Sequence, residues 1–382
     1  MEALEKADRG VRRFEEGHMR FASIVPVLAL AGIFNLALII ANPAPGGEAL
    51  SISHYKVLEP IRHGNLAVFP VVATVSHETQ EFLTLDEGLR SGEVVVSESG
   101  SFAPLVRPRR DGILPHRGYG PQVNQLVLVN NSKRPLILLA GEIVTGGKQD
   151  RVVGKDRVVP EESDPIDLGV FCVEPGRWTG PKMSFDAVGS PMAAPGVRAK
   201  AMADKDQGKV WSEVRDSQAR ASAQLTAPMA ARVNGTTSYA KVMQNEEVEQ
   251  KVDAVATPMQ HDYQSLIKQL RDRHAVGVVV AVNGEIIWAD IFASTDLLQK
   301  YWPKLVRSYA AEAFVSRARS QDTDIKAAQQ FLENFEGRRE TVETEPGLYR
   351  HTEITGDGFK AFELTSLLPK TGFDLHVAKM AE

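Results

Sequence analysis

Cysteine is almost absent. Cys172 stands alone among 382 residues, which excludes an intrachain disulfide and any multi-thiolate zinc site. A surplus of one charge is missing too: 44 lysines and arginines face 49 aspartates and glutamates, a net −5. Without a broad basic field, nucleic acid is not an expected partner. The nine histidines show no H-x-x-x-H or other metal spacing, so no metal centre is expected. No particular cofactor is indicated. The G-x-S-x-G elbow of serine hydrolases is absent, as are internal repeats and low-complexity tracts. What remains has globular composition, 43% hydrophobic and 24% charged, with chain enough for one large or two ordinary domains.

The first fifty residues stand apart. Residues 21–41 form a 21-residue run without a charge, long enough for a hydrocarbon core of about 30 Å at about 1.5 Å per residue. Lys6, Arg9, Arg12, Arg13 and Arg20 precede it, balanced by five acids, and a proline- and glycine-rich linker follows at 42–50. Three readings fit. The run is an uncleaved anchor with its N-terminus in the cytoplasm, a signal sequence started at Met19 and cut near Ala41, or a buried core helix. No amphipathic face supports the last. Both membrane readings place the body, residues 51–382, outside the cytoplasm, with the membrane as a partner if the run is retained.

The body reads as α+β, with a β-rich N-terminal half (51–179), a flexible excursion (180–208) and a helical and hairpin part (209–382). Residues 66–75 form an apolar strand that Pro70 assigns to an edge or a bend. Residues 82–92 run from a strand into a short helix, and 93–99 form another strand. Prolines and glycines make 103–121 a loop. Residues 123–130 and 136–144 predict a hairpin with a five-residue connection, and 167–174 close this half. Residues 180–208 are rich in Gly, Pro, Ala and Met without a period. Helices follow at 210–222 and 238–256, and Tyr263, Leu266, Ile267 and Leu270 mark an amphipathic stripe over 261–274. Asn283-Gly284 is the strongest hairpin signal of the chain. Pro303 suits the first position of a helix over 303–319, and the last forty residues predict a terminal strand pair around Gly356-Asp357-Gly358.

Three segments carry polar groups suited to chemistry. In residues 141–157 an apolar strand gives way to Gly146-Gly147, then Lys148, Gln149, Asp150 and Arg151. Adjacent glycines let backbone N–H groups approach an anion, which Lys148 or Arg151 would neutralise. The G-x-x-x-x-G-K-[ST] phosphate loop fails here: a glycine is inserted, and Gln149 replaces the hydroxyl residue. The alternative is a glycine bulge under a solvated hairpin. In residues 172–178 a strand presents Cys172 and Glu174 to one side, and Pro175-Gly176 turns out Arg177 and Trp178, a pair suited to a planar ligand. Equally, Trp178 could plug the sheet end. Cys172 lacks a neighbouring base and reads as an inert core residue. The third segment offers Asp86, Glu87 and Glu98 for acid–base work, although acids also favour a helix start for dipole reasons.

The serial motifs GGKQDR and CVEPGRW, with the blocks around 82–89, 123–139 and 276–314, resemble a bacterial family of unknown function. That family is named for genomic association with ADP-ribosylglycohydrolases and with rhodanese and phosphatase-superfamily proteins. The resemblance runs from about His54 to Phe314. It implies a polar site made of Glu142, Gly146, Gly147, Lys148, Gln149, Asp150, Arg151, Glu174, Arg177 and Trp178, and handling of an ADP-ribose- or NAD-derived compound.

Two functions of different class follow. In the first, a small phosphate or nucleotide-type molecule is held by Gly146, Gly147, Lys148, Gln149, Arg151, Arg177 and Trp178, with Glu142, Asp150 or Glu174 as general base. In the second, the same charges form a structural network in a non-catalytic envelope module facing a protein or polysaccharide partner.

Overall fold

The computed structural model describes residues 55–99, 123–178, 184–187, 191–270, 272–317 and 322–382; all lie in the compact unit Gly46–Glu382. The apolar run 21–41 and the loop 103–121 lie outside them. Among the described residues no helix is long and apolar enough to cross a membrane.

The fold is α+β, with strands dominating its N-terminal half and helices its middle. β1 (Tyr55–Val57), β2 (Ile61–His63), β3 (Leu66–Ala73) and β4 (Leu83–Thr84) lead into α1 (Leu85–Ser91) and β5 (Val94–Glu98). β6 (Gln125–Asn130), β7 (Leu136–Leu138), β8 (Ile143–Gly146), β9 (Arg151–Val153), β10 (Arg157–Val159), β11 (Ile166–Cys172) and β12 (Phe185–Asp186) follow. The middle holds α2 (Pro195–Ala199), which continues into a π-helical turn (Lys200–Asp204), then α3 (Gln207–Ser222), α4 (Ala227–Asn234), α5 (Tyr239–Met243) and α6 (Glu246–Gln269). Last come β13 (His274–Val282), β14 (Glu285–Phe292), α7 (Thr295–Val315), α8 (Ile325–Glu333), β15 (Gly337–Glu345), β16 (Tyr349–Gly356), β17 (Phe359–Ser366) and β18 (Asp374–Ala381).

A nine-stranded antiparallel sheet runs β1-β3-β13-β14-β18-β17-β16-β15, with β2 also on β3. Period-two alternation sorts its side chains. Val278 and Val280 of β13 meet Leu297, Tyr301, Trp302 and Leu305 of α7 in the main core, while Val279 and Ala281 meet Ala328 and Leu332 of α8 on the opposite face. Two smaller sheets, β12-β8-β9-β11-β6-β5 and β10-β7-β4, share a second core in which Leu136 and Leu138 pack with Val96, Leu126 and Val144.

Local chemistry explains several boundaries. Thr84 and Glu87 form a reciprocal capping box at the start of α1, and left-handed Gly92 closes it. Asn283 and Gly284 both have positive φ, as the tight turn between β13 and β14 requires.

Four expectations need correction. Pro70 lies in an interior strand, because it falls where β2 gives way to β1 along β3 and its missing N–H removes no ladder bond there. Residues 123–130 and 136–144 do not form a hairpin: β6 lies between β5 and β11, and β7 between β10 and β4. Residues 192–204 of the expected flexible excursion are instead packed core, with Met192, Ala193, Ala194, Val197 and Ala201 sealed. Pro303 sits inside α7, whose N-cap is Ser294, since the buried stripe from Leu297 to Trp302 outweighs one lost helical bond. The expected terminal strand pair is present as β16 and β17, in a sheet that also recruits β15 and β18.

Candidate functional site

The six-stranded sheet delivers the polar motif residues to one place. Arg151 of β9 stands opposite Cys172 of β11, so Gln149 and Asp150 just before the one strand meet Val173 and Glu174 just after the other. The Val173 N–H donates to the Asp150 carbonyl (3.0 Å). The Asp150 N–H donates to Glu174 Oε2 (3.1 Å), and Gln149 Nε2 donates to the Glu174 carbonyl (3.1 Å). Gly176, with φ 86°, turns the chain so that Arg177 returns over both acids, its Nη2 2.6 Å from Glu174 Oε2 and 3.5 Å from Asp150 Oδ1. The Ser238 hydroxyl, which caps α5, also donates to Asp150 Oδ2 (2.7 Å). Trp178 is 42% exposed, enough for a ligand to reach, and its ring centroid lies 5.8 Å from the fully buried Arg151 guanidinium.

The glycine loop faces the chain's own acceptors. The Gly146 N–H donates to Asp150 Oδ1 (3.1 Å), that of Gly147 to the Ser184 carbonyl (3.3 Å), and that of Lys148 to Glu98 Oε1 (2.6 Å). A Cβ on Gly147, whose φ is 49°, would overlap the Phe185 ring and Glu98. The Gly146 and Gly147 N–H groups therefore end on different acceptors, and the Glu98 carboxylate accepts from the Lys148 N–H alone of the three.

Burial pushes the Asp150 carboxyl up and the Glu174 charge adds to that, against the pull of the Ser238 hydroxyl, the Gly146 N–H and Arg177. Burial also raises the Cys172 thiol, in keeping with an inert core residue. Three sealed atoms of this cluster, Glu98 Oε2, Gln149 Oε1 and Arg151 Nη2, meet no hydrogen-bonding partner. No group of three metal-ligating side chains gathers among the described residues.

Glu142 does not join the cluster. It precedes β8 at the end remote from Gly146, where Oε2 accepts from the Leu139 N–H (2.9 Å) and Oε1 lies 3.6 Å from Lys304 Nζ. Burial raises it to about 7, against the attraction of Lys304. Asp86 pairs with the same Lys304 at 2.5 Å, and Glu87 with Lys300 at 3.0 Å. The acids of that third segment therefore split between α7 and, through Glu98, the glycine loop.

A second polar network had no counterpart in the sequence reading. Arg198 forks onto Asp290 with two bonds of 2.9 Å. His376 bridges Asp290 Oδ1 (3.0 Å) and Asp156 Oδ2 (2.5 Å), the Ala140 N–H donates to Asp156 (2.7 Å), and the Tyr309 hydroxyl donates to Asp290. All four charged groups are sealed from solvent. Burial opposes the His376 imidazolium, yet the two aspartates win and raise it to about 9. Asp156 and Asp290 are held below their usual range by His376 and Arg198 respectively. Its members come from five distant segments, so no spacing exposes them. One local sign exists: Gly141 has φ 97° and a Cβ there would fall 2.6 Å from the Arg198 side chain.

Residues 54–378 match the profile of the ARG and Rhodanese-Phosphatase-superfamily-associated Protein domain, ARPP-1. The chain belongs to that family. No curated protein and no solved structure matches it.

Proposed function

We propose that this ARPP-1 domain binds a small phosphate-bearing molecule of the ADP-ribose or nucleotide type at the face carrying Lys148, Arg177 and Trp178, with Asp150 as its proton-transferring group. The observation that carries the reading is a pair of carboxylates in unlike surroundings beside an accessible indole. Asp150 has a raised pKa, next to Glu174 and under Arg177, and a buried carboxyl perturbed in this way suits acid–base work. Trp178 would stack the sugar or base, Lys148 and Arg177 would meet the phosphate, and Glu174 would orient the reacting group. The apolar run 21–41 supports export of the domain, and an exported site would meet a released phosphate compound rather than cytoplasmic NAD.

A second reading has its own support. The N–H groups of Gly146, Gly147 and Lys148 all end on acceptors of the chain itself, as a purely structural network would have them.

Thermal unfolding against ADP-ribose, NAD, nucleoside diphosphates and sugar phosphates separates the two. A ligand at about 100 times its Kd adds roughly 2.7 kcal/mol and moves the midpoint by a few degrees. A shift that Trp178→Ala abolishes, with turnover lost but binding kept in Asp150→Asn, is the expected result. A flat response across the panel would leave the structural network standing.

A further inference from the structure

On the opposite side of β11 lies a second feature. Phe171 and Cys172 are consecutive strand residues and point to opposite faces. Cys172 faces the Arg151–Glu174 cluster, and Phe171 lines a separate cavity of about 400 Å³, within the usual range of small-molecule sites. Met202 of the π-helical turn and Phe362 of β17 add apolar wall.

His351 of β16 opens into this cavity. It is 1% exposed, and neither Nδ1 nor Nε2 finds a hydrogen-bonding partner. Burial lowers its pKa, so the ring is neutral at neutral pH. A neutral imidazole carries one donor and one acceptor, and leaving such buried groups unmet is destabilising. The neighbouring network does not use it: Asp156 has given its oxygens to His376 and to the Ala140 N–H.

The rim is charged but balanced. Lys155 pairs with Glu343, and Lys205 with Glu353, all partly exposed. Lys205 is itself unusual, for it closes the π-helical turn in a left-handed conformation with φ 52°. π-Helical turns and left-handed non-glycine residues recur at functional sites. Here they set Met202 in the wall and the Lys205 ammonium at the mouth. With both lysines matched by glutamates and the histidine neutral, an ionic ligand would gain little and would meet one repelling partner at each pair.

We propose that this cavity is a binding site for an uncharged nitrogen heteroaromatic ring, held among Phe171, Met202 and Phe362 and hydrogen-bonded to the His351 imidazole. The ring must supply the donor or acceptor that His351 lacks, and its flat faces suit the aromatic wall. The site is independent of the Asp150–Glu174 cluster, from which β11 separates it.

Benzimidazole, which has one N–H and one bare ring nitrogen, is the probe, and indene, the same shape without nitrogen, is its control. Calorimetry with the full chain should give a Kd below about 1 mM for benzimidazole and at least tenfold weaker binding for indene, the ratio one good hydrogen bond supplies. The His351 ring nitrogen resonances should move on addition of benzimidazole. His351→Leu removes only groups that lack partners, so it should fold and lose at least tenfold in affinity. Gly169→Leu is the second variant: Gly169 lines the same cavity and a Cβ there meets nothing within 4 Å, so the side chain should occupy the mouth and abolish binding. Equal binding of indene, no binding of benzimidazole, or affinity unchanged in both variants would overturn the proposal.

Discussion

His376→Gln tests the buried charge network through its pH dependence. The imidazole is sealed between Asp156 and Asp290, and its pKa rises from the ordinary 6.5 to about 9. A group whose folded pKa is raised stabilises the native state fully below its unfolded pKa, and that contribution disappears as pH climbs through the folded value. A rise from 6.5 to 9 corresponds to about 3 kcal/mol, undiminished by solvent because the group is wholly buried. Glutamine is close to histidine in size and can still hydrogen-bond, but takes no proton. The cost of the substitution should therefore be greatest at pH 6 and about 3 kcal/mol smaller at pH 9.5. Urea unfolding of both proteins at pH 6, 7.5 and 9.5 measures it. Taking the difference between the two cancels other groups that titrate in this window, such as Glu142, raised to about 7, and Lys379, lowered to about 7 by burial. A cost that stays constant from pH 6 to 9.5 would mean that His376 is neutral in the native state, and the proposed pairing would fail.

Two further pairs of substitutions probe the packing. Gly141→Ala should lower stability by at least about 2 kcal/mol in chemical denaturation, because it combines an unfavourable positive φ with a Cβ 2.6 Å from the Arg198 side chain; Gly92→Ala, also at positive φ but with open space around it, should cost about 1 kcal/mol. Arg151→Met should destabilise by several kcal/mol, since it removes a buried cation that offsets the sealed Glu98 carboxylate, while the partly exposed Trp178→Ala should cost about 1 kcal/mol or less; equal losses in thermal unfolding would contradict their contrasting burial.

Where a segment's own chemistry decided its shape, the sequence was readable. Asn283-Gly284 dictates a tight turn whatever surrounds it, and Thr84 with Glu87 announces the start of α1. The stripe through Tyr263 and Ile267 is equally local, and α6 carries it to Gln269. Partner choice was not readable. β6 and β7 are buried along most or all of their length, so no alternation reveals that each pairs elsewhere rather than with the other. Residues 192–204 looked structureless because small residues without a period lack an amphipathic signature, yet Ala193, Ala194 and Ala201 are small because α2 and the π-helical turn pack closely. The motif residues from Gly146 to Arg151 and from Glu174 to Trp178 did converge, because β9 and β11 are paired. Glu142 lies outside that group for a simple reason, being a full strand away along β8.

The sheet order also sets a timetable for synthesis. β18 is the last strand of the fold to be made, yet its place is in the interior, between β14 and β17. Some 300 residues separate it from β3, roughly 15–60 s of translation at about 5–20 residues per second. For about the last 80 of those residues β14 has no neighbour on that side, and Asp156 and Asp290 wait for the histidine that β18 carries. Until β18 arrives, the unfinished chain must keep the open edge of β14 from pairing with other molecules. Loss of the last nine residues would accordingly remove the middle of the sheet together with the cation at the centre of the buried network.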